Sequence, residues 1–397
     1  MPLPRKLRWR TGWLVPADGS STAELLPIPM PASDRIEIYS GVARLAGTLW
    51  ASRHRATKPS RTVVAIVHPS SNFLGHYLLG PLAAAGVDAV GLNTRYIAND
   101  SMLVMENCLL DLGAAVARLR DEYDHVVLLG NSGGGGLVSM YQSQAESPTI
   151  TATPAGDPPD LTAAQLSPVD GLIASMAHPG RAFVYTEWLD PAIVDEADPL
   201  RRDPSLDMFD DRNGPPYDAD FVARYRAAQF TRSRRIRDWV REQLERLRLE
   251  ADPNITDLPF VVHGTVADLR FRDLTIDPSD RRPGTAWGEA LGANLSPASL
   301  GHHTSLRSWL SQWSVDESNC DGPWHLARTS VPVLVMYGTA DQVSFPSHAN
   351  ALYDAIPTGR STLIPLRGAE HYFQSTPDLI PTVATHIVTW LRDNGLL

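Results

Sequence analysis

Three residues of this chain have the types and the order needed for nucleophilic chemistry, and each stands just after an apolar run. Gly130-Asn131-Ser132-Gly133-Gly134 follows His125-Val126-Val127-Leu128-Leu129 and precedes a helix-compatible segment from Leu137 to Gln144. It fits Gly-x-Ser-x-Gly, the pattern of a sharp strand-to-helix turn that lifts a serine hydroxyl clear of a sheet. The glycines have a physical reason. The serine of such a turn is strained, and side chains at Gly130 and Gly134 would collide with neighbouring backbone.

A serine hydroxyl is a poor nucleophile at neutral pH; it needs a base, and a carboxylate to orient that base. Val331 to Tyr337 reads as a buried strand and ends in Gly338-Thr339-Ala340-Asp341, which sets a carboxylate just past the strand. A helix-like stretch from Pro346 to Ile356 and a short strand around Ser361 to Pro365 lead to Gly368-Ala369-Glu370-His371, before a last helix, Pro377 to Asn394. Serine, aspartate and histidine therefore follow one another, each at a strand end.

On these motifs the chain resembles the α/β-hydrolase-fold serine hydrolases of the esterase and lipase type, over residues 34–178 and 329–397, a little over half of its length. The resemblance implies a mostly parallel sheet flanked by helices. It implies Ser132 as nucleophile, His371 as general base and then acid, and Asp341 as the group that orients His371. It also implies an oxyanion hole made by the N–H of Gly133 and an N–H from another loop. Thr62 to Val67 is a continuous β-branched run, as a central strand buried on both faces should be, and ends in His68-Pro69-Ser70-Ser71-Asn72. The second N–H is expected from Ser70, or else Ser71. Pro69 stands where the family often has glycine, and proline has no N–H to give. His68 reads as a histidine bonded within this loop. The implied reaction is hydrolysis of a carboxylic ester through an acyl-enzyme. Thioester, amide or carbon–carbon bond hydrolysis would use the same residues, and a non-catalytic relative that binds a small molecule is the reading from another class.

Composition bounds the rest. A chain of 397 residues, 43% hydrophobic, can bury a large core, and a formal charge of −10 argues against nucleic acid as a partner. The partner expected is a small-molecule substrate with an apolar or acyl group, with no cofactor and no metal; oligomeric state is not legible. Cys108 lies in an apolar helical stretch far from Cys320, so a buried free thiol and a reducing, cytoplasmic setting are expected. The apolar stretch Trp13 to Val15 is too short for a signal peptide, and no run approaches the length of a membrane span.

Residues 1–33, rich in proline and polar residues, read as an extension that wraps the core or is partly mobile. Asp34 to Ser52 alternates as antiparallel edge strands do; His76 to Ala85, Val87 to Leu92 and Ser101 to Tyr123 read as helix, strand and helix. Arg95 serves either substrate or a structural ion pair. Ser147 to Pro168 reads as a loop, and Val169 to Ser175 resumes the sheet.

Ser132 and Asp341 are 209 positions apart, which leaves room for a large, mainly helical cap over residues 179–328. Residues 187–220 carry eleven Asp or Glu against three Arg, whereas 221–250 carry nine Arg against four acids. An apolar stripe from Phe221 to Leu247 makes the second stretch an amphipathic helix with its arginines mostly outward, facing the acidic segment or lining an entrance for an anionic substrate. Phe209 to Asp220 lacks the ligands of a calcium loop, and the adjacent His302 and His303 would diverge on a helix rather than share a metal. Trp309 and Trp313, one helical turn apart, belong either to the core of this region or to the wall of an apolar pocket above Ser132.

Overall fold

The computed structural model describes residues 22–31, 47–250 and 255–397. Its main sheet has eight strands in the order β1-β2-β4-β3-β5-β6-β9-β10: β1 (Thr22–Pro29), β2 (Thr48–Arg55), β3 (Thr62–Val67), β4 (Asp88–Leu92), β5 (His125–Asn131), β6 (Gly171–Ser175), β9 (Val333–Gly338) and β10 (Ser361–Leu366). β2 runs antiparallel to both neighbours, and the other pairs are parallel. Parallel strands need long crossovers, and α1 (Leu79–Ala84), α2 (Met105–Arg120), α3 (Gly134–Glu146) and α9 (Pro346–Ala355) lie in them, while α10 (Ile380–Asp393) follows the last strand. This mostly parallel sheet, covered by helices on both faces, is the α/β-hydrolase fold.

The apolar runs have their cause in this double burial. Along β3, Val63, Ala65 and Val67 belong to one core with residues of α2, α3 and α9, while Val64 and Ile66 belong to another with residues of α1 and α10. Neighbouring β5 divides the same way, with Val126 and Leu128 on one side and Val127 and Leu129 on the other. A strand with both faces in a core has no place for polar alternation.

The proline-rich extension is corrected in part. Thr22–Pro29, inside the stretch expected to wrap the core, is β1 and closes one edge of the sheet, with Leu26 and Ile28 buried and Leu25 outward. The alternation read over Asp34 to Ser52 falls mostly outside the described residues; its end belongs to β2, one strand in from the edge.

Between β6 and β9 the regular elements are α4 (Arg181–Trp188), α5 (Ala219–Glu250), β7 (Pro259–Val261), α6 (Ala290–Leu295), β8 (His303–Ser305), α7 (Leu306–Ser308) running into a π turn (Trp309–Trp313), and α8 (Gly322–Leu326). One 32-residue helix, α5, dominates this region. Its stripe divides between two clusters. Phe221 and Tyr225 pack with Met208 and Leu269, and Ile236, Val240 and Leu244 with Tyr185, Trp309 and Trp313. The acidic segment does meet the arginines: Glu196 pairs with Arg232 at 2.7 Å and with Arg235 at 2.8 Å. Arg232 is not on the outer face. It is buried, and also donates to the carbonyls of Asp190 and His263.

Arg95 takes the structural role, its guanidinium 2.7 Å from buried Asp111. Both cysteines are free and buried. Among the described residues no helix is long and apolar enough to cross a membrane, and no group of three or more His, Cys, Asp or Glu could hold a metal ion.

Candidate active site

Ser132 sits between β5 and α3 with φ +56°, a left-handed backbone that an L-residue adopts only where its surroundings impose it. Those surroundings are explicit. A Cβ at Gly130 would stand 2.1 Å from the carbonyl oxygen of Gly134, and one at Gly134 would stand 2.2 Å from that of Val67. Only glycine permits strand and helix to approach so closely. The Ser175 carbonyl at the end of β6 accepts from the Ser132 N–H at 3.3 Å and from Asn131 Nδ2 at 3.0 Å, which pins the turn to the adjacent strand.

Asp341 follows β9 and is buried. Its Oδ1 accepts from the N–H groups of Val343 at 2.7 Å and Ser344 at 2.9 Å, and its Oδ2 lies 2.8 Å from His371 Nδ1. His371 follows β10 and is 3% exposed. With Nδ1 turned to the carboxylate, Nε2 is left as the nitrogen able to work, and it has no hydrogen-bond partner among the described residues. Ser132 Oγ makes no hydrogen bond to it. Ser132 and His371 nevertheless line one cavity of about 210 Å³, together with His68, Ser70 and Ser71.

The loop 68–73 departs from expectation. The N–H groups of Ser70 and Ser71 both donate to His68 Nδ1, at 3.1 and 2.9 Å. A backbone N–H has one hydrogen, so neither is available to a ligand in this arrangement. His68 is bonded within its loop, as read from the sequence. Gly133, before the first turn of α3, keeps its N–H free of any acceptor among the described residues. Burial, then the nearby Arg181, His178 and His371, hold the His68 pKa well below the ordinary histidine value, so its ring is neutral.

The two tryptophans separate. Trp313 lines the cavity; Trp309 does not, and packs instead with Tyr185 and Phe260. None of the arginines at 221–250 lines it either. Its cation is Arg181, whose guanidinium is engaged by Gln312 at 2.7 Å and Asp100 at 2.5 Å and stacks 4.3 Å from the Trp313 ring. Val184, Trp188, Trp287, Leu300 and Val343 complete the apolar wall, and His178 and Tyr372 add polar edges. His178 and Arg181 carried a signal that sequence reading did not use. They follow β6 at its carboxyl end, where open parallel sheets bind ligands. Trp287 and Leu300 had no comparable signal, because they come from irregular chain.

No protein-family model matches this chain, and no curated protein does. Among solved structures, it is similar to a monoacylglycerol lipase from Paleococcus ferrophilus at 15% identity and TM-score 0.45, over 87% of this chain and 99% of that one. It is also similar to the esterase domain of a Rhodothermus marinus protein at 11% identity and TM-score 0.46, over 94% and 98%. A bromoperoxidase from Bacillus anthracis matches at 15% identity and TM-score 0.42, over 93% and 100%. Likenesses this distant say nothing of the reaction.

Proposed function

We propose that this chain is a serine hydrolase that cleaves a small carboxylic ester through an acyl-enzyme on Ser132. The observation that carries the reading is the disposition of His371. Nδ1 is committed to a buried carboxylate at 2.8 Å, and Nε2 has no partner among the described residues, in a cavity that Ser132 also lines. Asp341 fixes the tautomer, so Nε2 is the basic nitrogen. Without ligand such serine–histidine contacts are often long and tighten when substrate arrives, so the missing hydrogen bond is compatible with this role.

In this reading Ser132 Oγ attacks the ester carbonyl carbon while His371 Nε2 takes the hydroxyl proton. The carbonyl π electrons move to oxygen, and the oxyanion accepts from the Gly133 N–H. The tetrahedral species collapses, the ester C–O bond breaks, and His371 returns its proton to the departing alkoxide. Water then attacks acyl-Ser132 with His371 as base, releasing the acid and restoring the serine.

Residues 179–328 act as a cap. They supply Arg181, Val184, Trp188, Trp287, Leu300 and Trp313 to the cavity wall, and an acyl or aromatic group of the substrate would rest against them. A cavity of about 210 Å³ is smaller than the roughly 300–1,000 Å³ common for ligand sites, which favours short acyl chains. The substrate is a small organic ester, not nucleic acid, and the setting is the cytoplasm. Measuring kcat/KM on p-nitrophenyl esters of two to twelve acyl carbons, beside thioester and anilide analogues, tests this. The reading expects esters of two to four carbons to be preferred. Preference for the thioester or the anilide would reassign the scissile bond.

A further inference from the structure

Neither Ser70 nor Ser71 is left with a backbone N–H for a second donor of the oxyanion hole. In the reading above, Gly133 gives one N–H, while those of Ser70 and Ser71 are spent on His68 Nδ1. The loop is held in that state from outside. Ala98 N–H donates to the Ser70 carbonyl at 2.7 Å, Phe73 N–H donates to Asn93 Oδ1 at 2.8 Å, and Thr94 Oγ1 donates to the Pro69 carbonyl. Pro69 itself has no N–H.

The same two bonds decide the state of the imidazole. A nitrogen that accepts cannot carry the proton of the neutral ring, so the hydrogen of His68 is on Nε2. That atom stands 3.1 Å from where a Cβ on Gly133 would lie, beside the residue whose N–H is the first donor. The His68 ring and Ser132 line the same cavity. Arg181 is the other polar side chain against Gly133, but it presents its aliphatic Cγ and Cδ there, at 3.3 and 3.6 Å, and its guanidinium is committed to Gln312 and Asp100.

We infer that His68 Nε2–H is the second donor to the oxyanion, a side-chain group standing in for the N–H that the loop after β3 cannot supply. This rests on the hydrolase reading above. The proton stays on His68 throughout; the ring accepts backbone hydrogen bonds on one nitrogen and gives one to the developing negative charge from the other. Burial keeps the ring neutral, so it acts as a dipole and does not compete with His371 for the serine proton.

Two substitutions separate this role from a purely structural one. In His68→Asn the side-chain oxygen takes the place of Nδ1 and still accepts from the loop, but nothing reaches the cavity. In His68→Gln the amide reaches toward the position of Nε2 and can donate, while the loop loses its acceptor. For p-nitrophenyl acetate, His68→Asn is expected to lower kcat by on the order of 10²–10³-fold with little change in KM. His68→Gln should recover at least about tenfold of that loss. The reverse order, with Asn near wild type and Gln impaired, makes His68 a loop brace and overturns the inference. If neither variant folds, the wild-type protein decides. With 15N-labelled histidine, a trifluoromethyl ketone that adds to Ser132 should move the His68 Nε2–H resonance; an unmoved resonance overturns the inference. The underlying reading fails separately, when wild-type protein and Ser132→Ala show the same ester hydrolysis, and this inference then falls with it.

Discussion

His371 Nδ1 lies 2.8 Å from Asp341 Oδ2, and the other carboxylate oxygen is held by two backbone N–H groups of the segment after β9. The aspartate therefore has no freedom to turn away, and the imidazole inherits its orientation from β9 and its neighbours.

Asp341→Asn puts an amide N–H where Nδ1 needs an acceptor, or turns it against the Val343 and Ser344 N–H groups. On the hydrolase reading this costs on the order of 10³–10⁴-fold in kcat, and His371→Ala on the order of 10⁵–10⁶-fold. The two act as one unit, so the double variant should be little worse than His371→Ala. Steady-state kinetics with circular dichroism on all three checks this, and multiplying losses would separate the two residues into independent roles.

Trp313 and Trp309 should now behave differently. Trp313→Ala opens the cavity wall and removes the surface on which Arg181 stacks, so preference should move toward longer acyl chains. Trp309→Ala leaves a hole in the core that Trp309 shares with Tyr185 and Trp313, where its own ring does not line the cavity, and is expected to cost about 3–5 kcal/mol of stability with the preference profile unchanged. Chain-length profiles and urea unfolding of both variants make the test. A shifted profile in Trp309→Ala, or an unshifted one in a folded Trp313→Ala, contradicts this division.

His76 links stability to pH. Its ring is packed between Phe73 and Tyr77, at centroid distances of 4.7 and 4.1 Å, its Nε2 has no partner among the described residues, and burial lowers its pKa to about 3. In the unfolded chain it titrates near 6.5. Between those values the unfolded state binds the extra proton, so stability rises with pH there. The contribution is whole above about pH 6.5 and is lost as pH falls from there toward 3. Removing the titration with His76→Phe should flatten the wild-type slope by up to about 1.4 kcal/mol per pH unit. Urea midpoints at pH 7, 5.5 and 4.5 decide it; parallel slopes for the two proteins would contradict the assignment.

Much of the sheet was legible because burial on both faces leaves its mark as unbroken apolar runs, β3 and β5 above all. β1 escaped for the opposite reason. It is an edge strand with one buried face, and an edge tolerates prolines such as Pro27 and Pro29 that a central strand excludes. Ser132, Asp341 and His371 were legible as a triplet because each follows a strand whose run announces where it ends. The tryptophan pair was read as a unit, core or pocket wall, but both rings belong to one buried cluster and only Trp313 also reaches the cavity. The donors of the loop after β3 were invisible for a subtler reason, since the direction of a backbone N–H depends on what accepts it, and here His68 does.

The central claim is that Ser132 is the activated nucleophile, and covalent labelling addresses it most directly. A fluorophosphonate reacts quickly only with a serine whose base is in place. Incubated with the folded protein and followed by peptide mass spectrometry, it should modify Ser132 alone, and His371→Ala should slow that modification by several orders of magnitude. An adduct on Ser70, Ser71 or any other serine, or a rate at Ser132 indifferent to His371, would contradict the account.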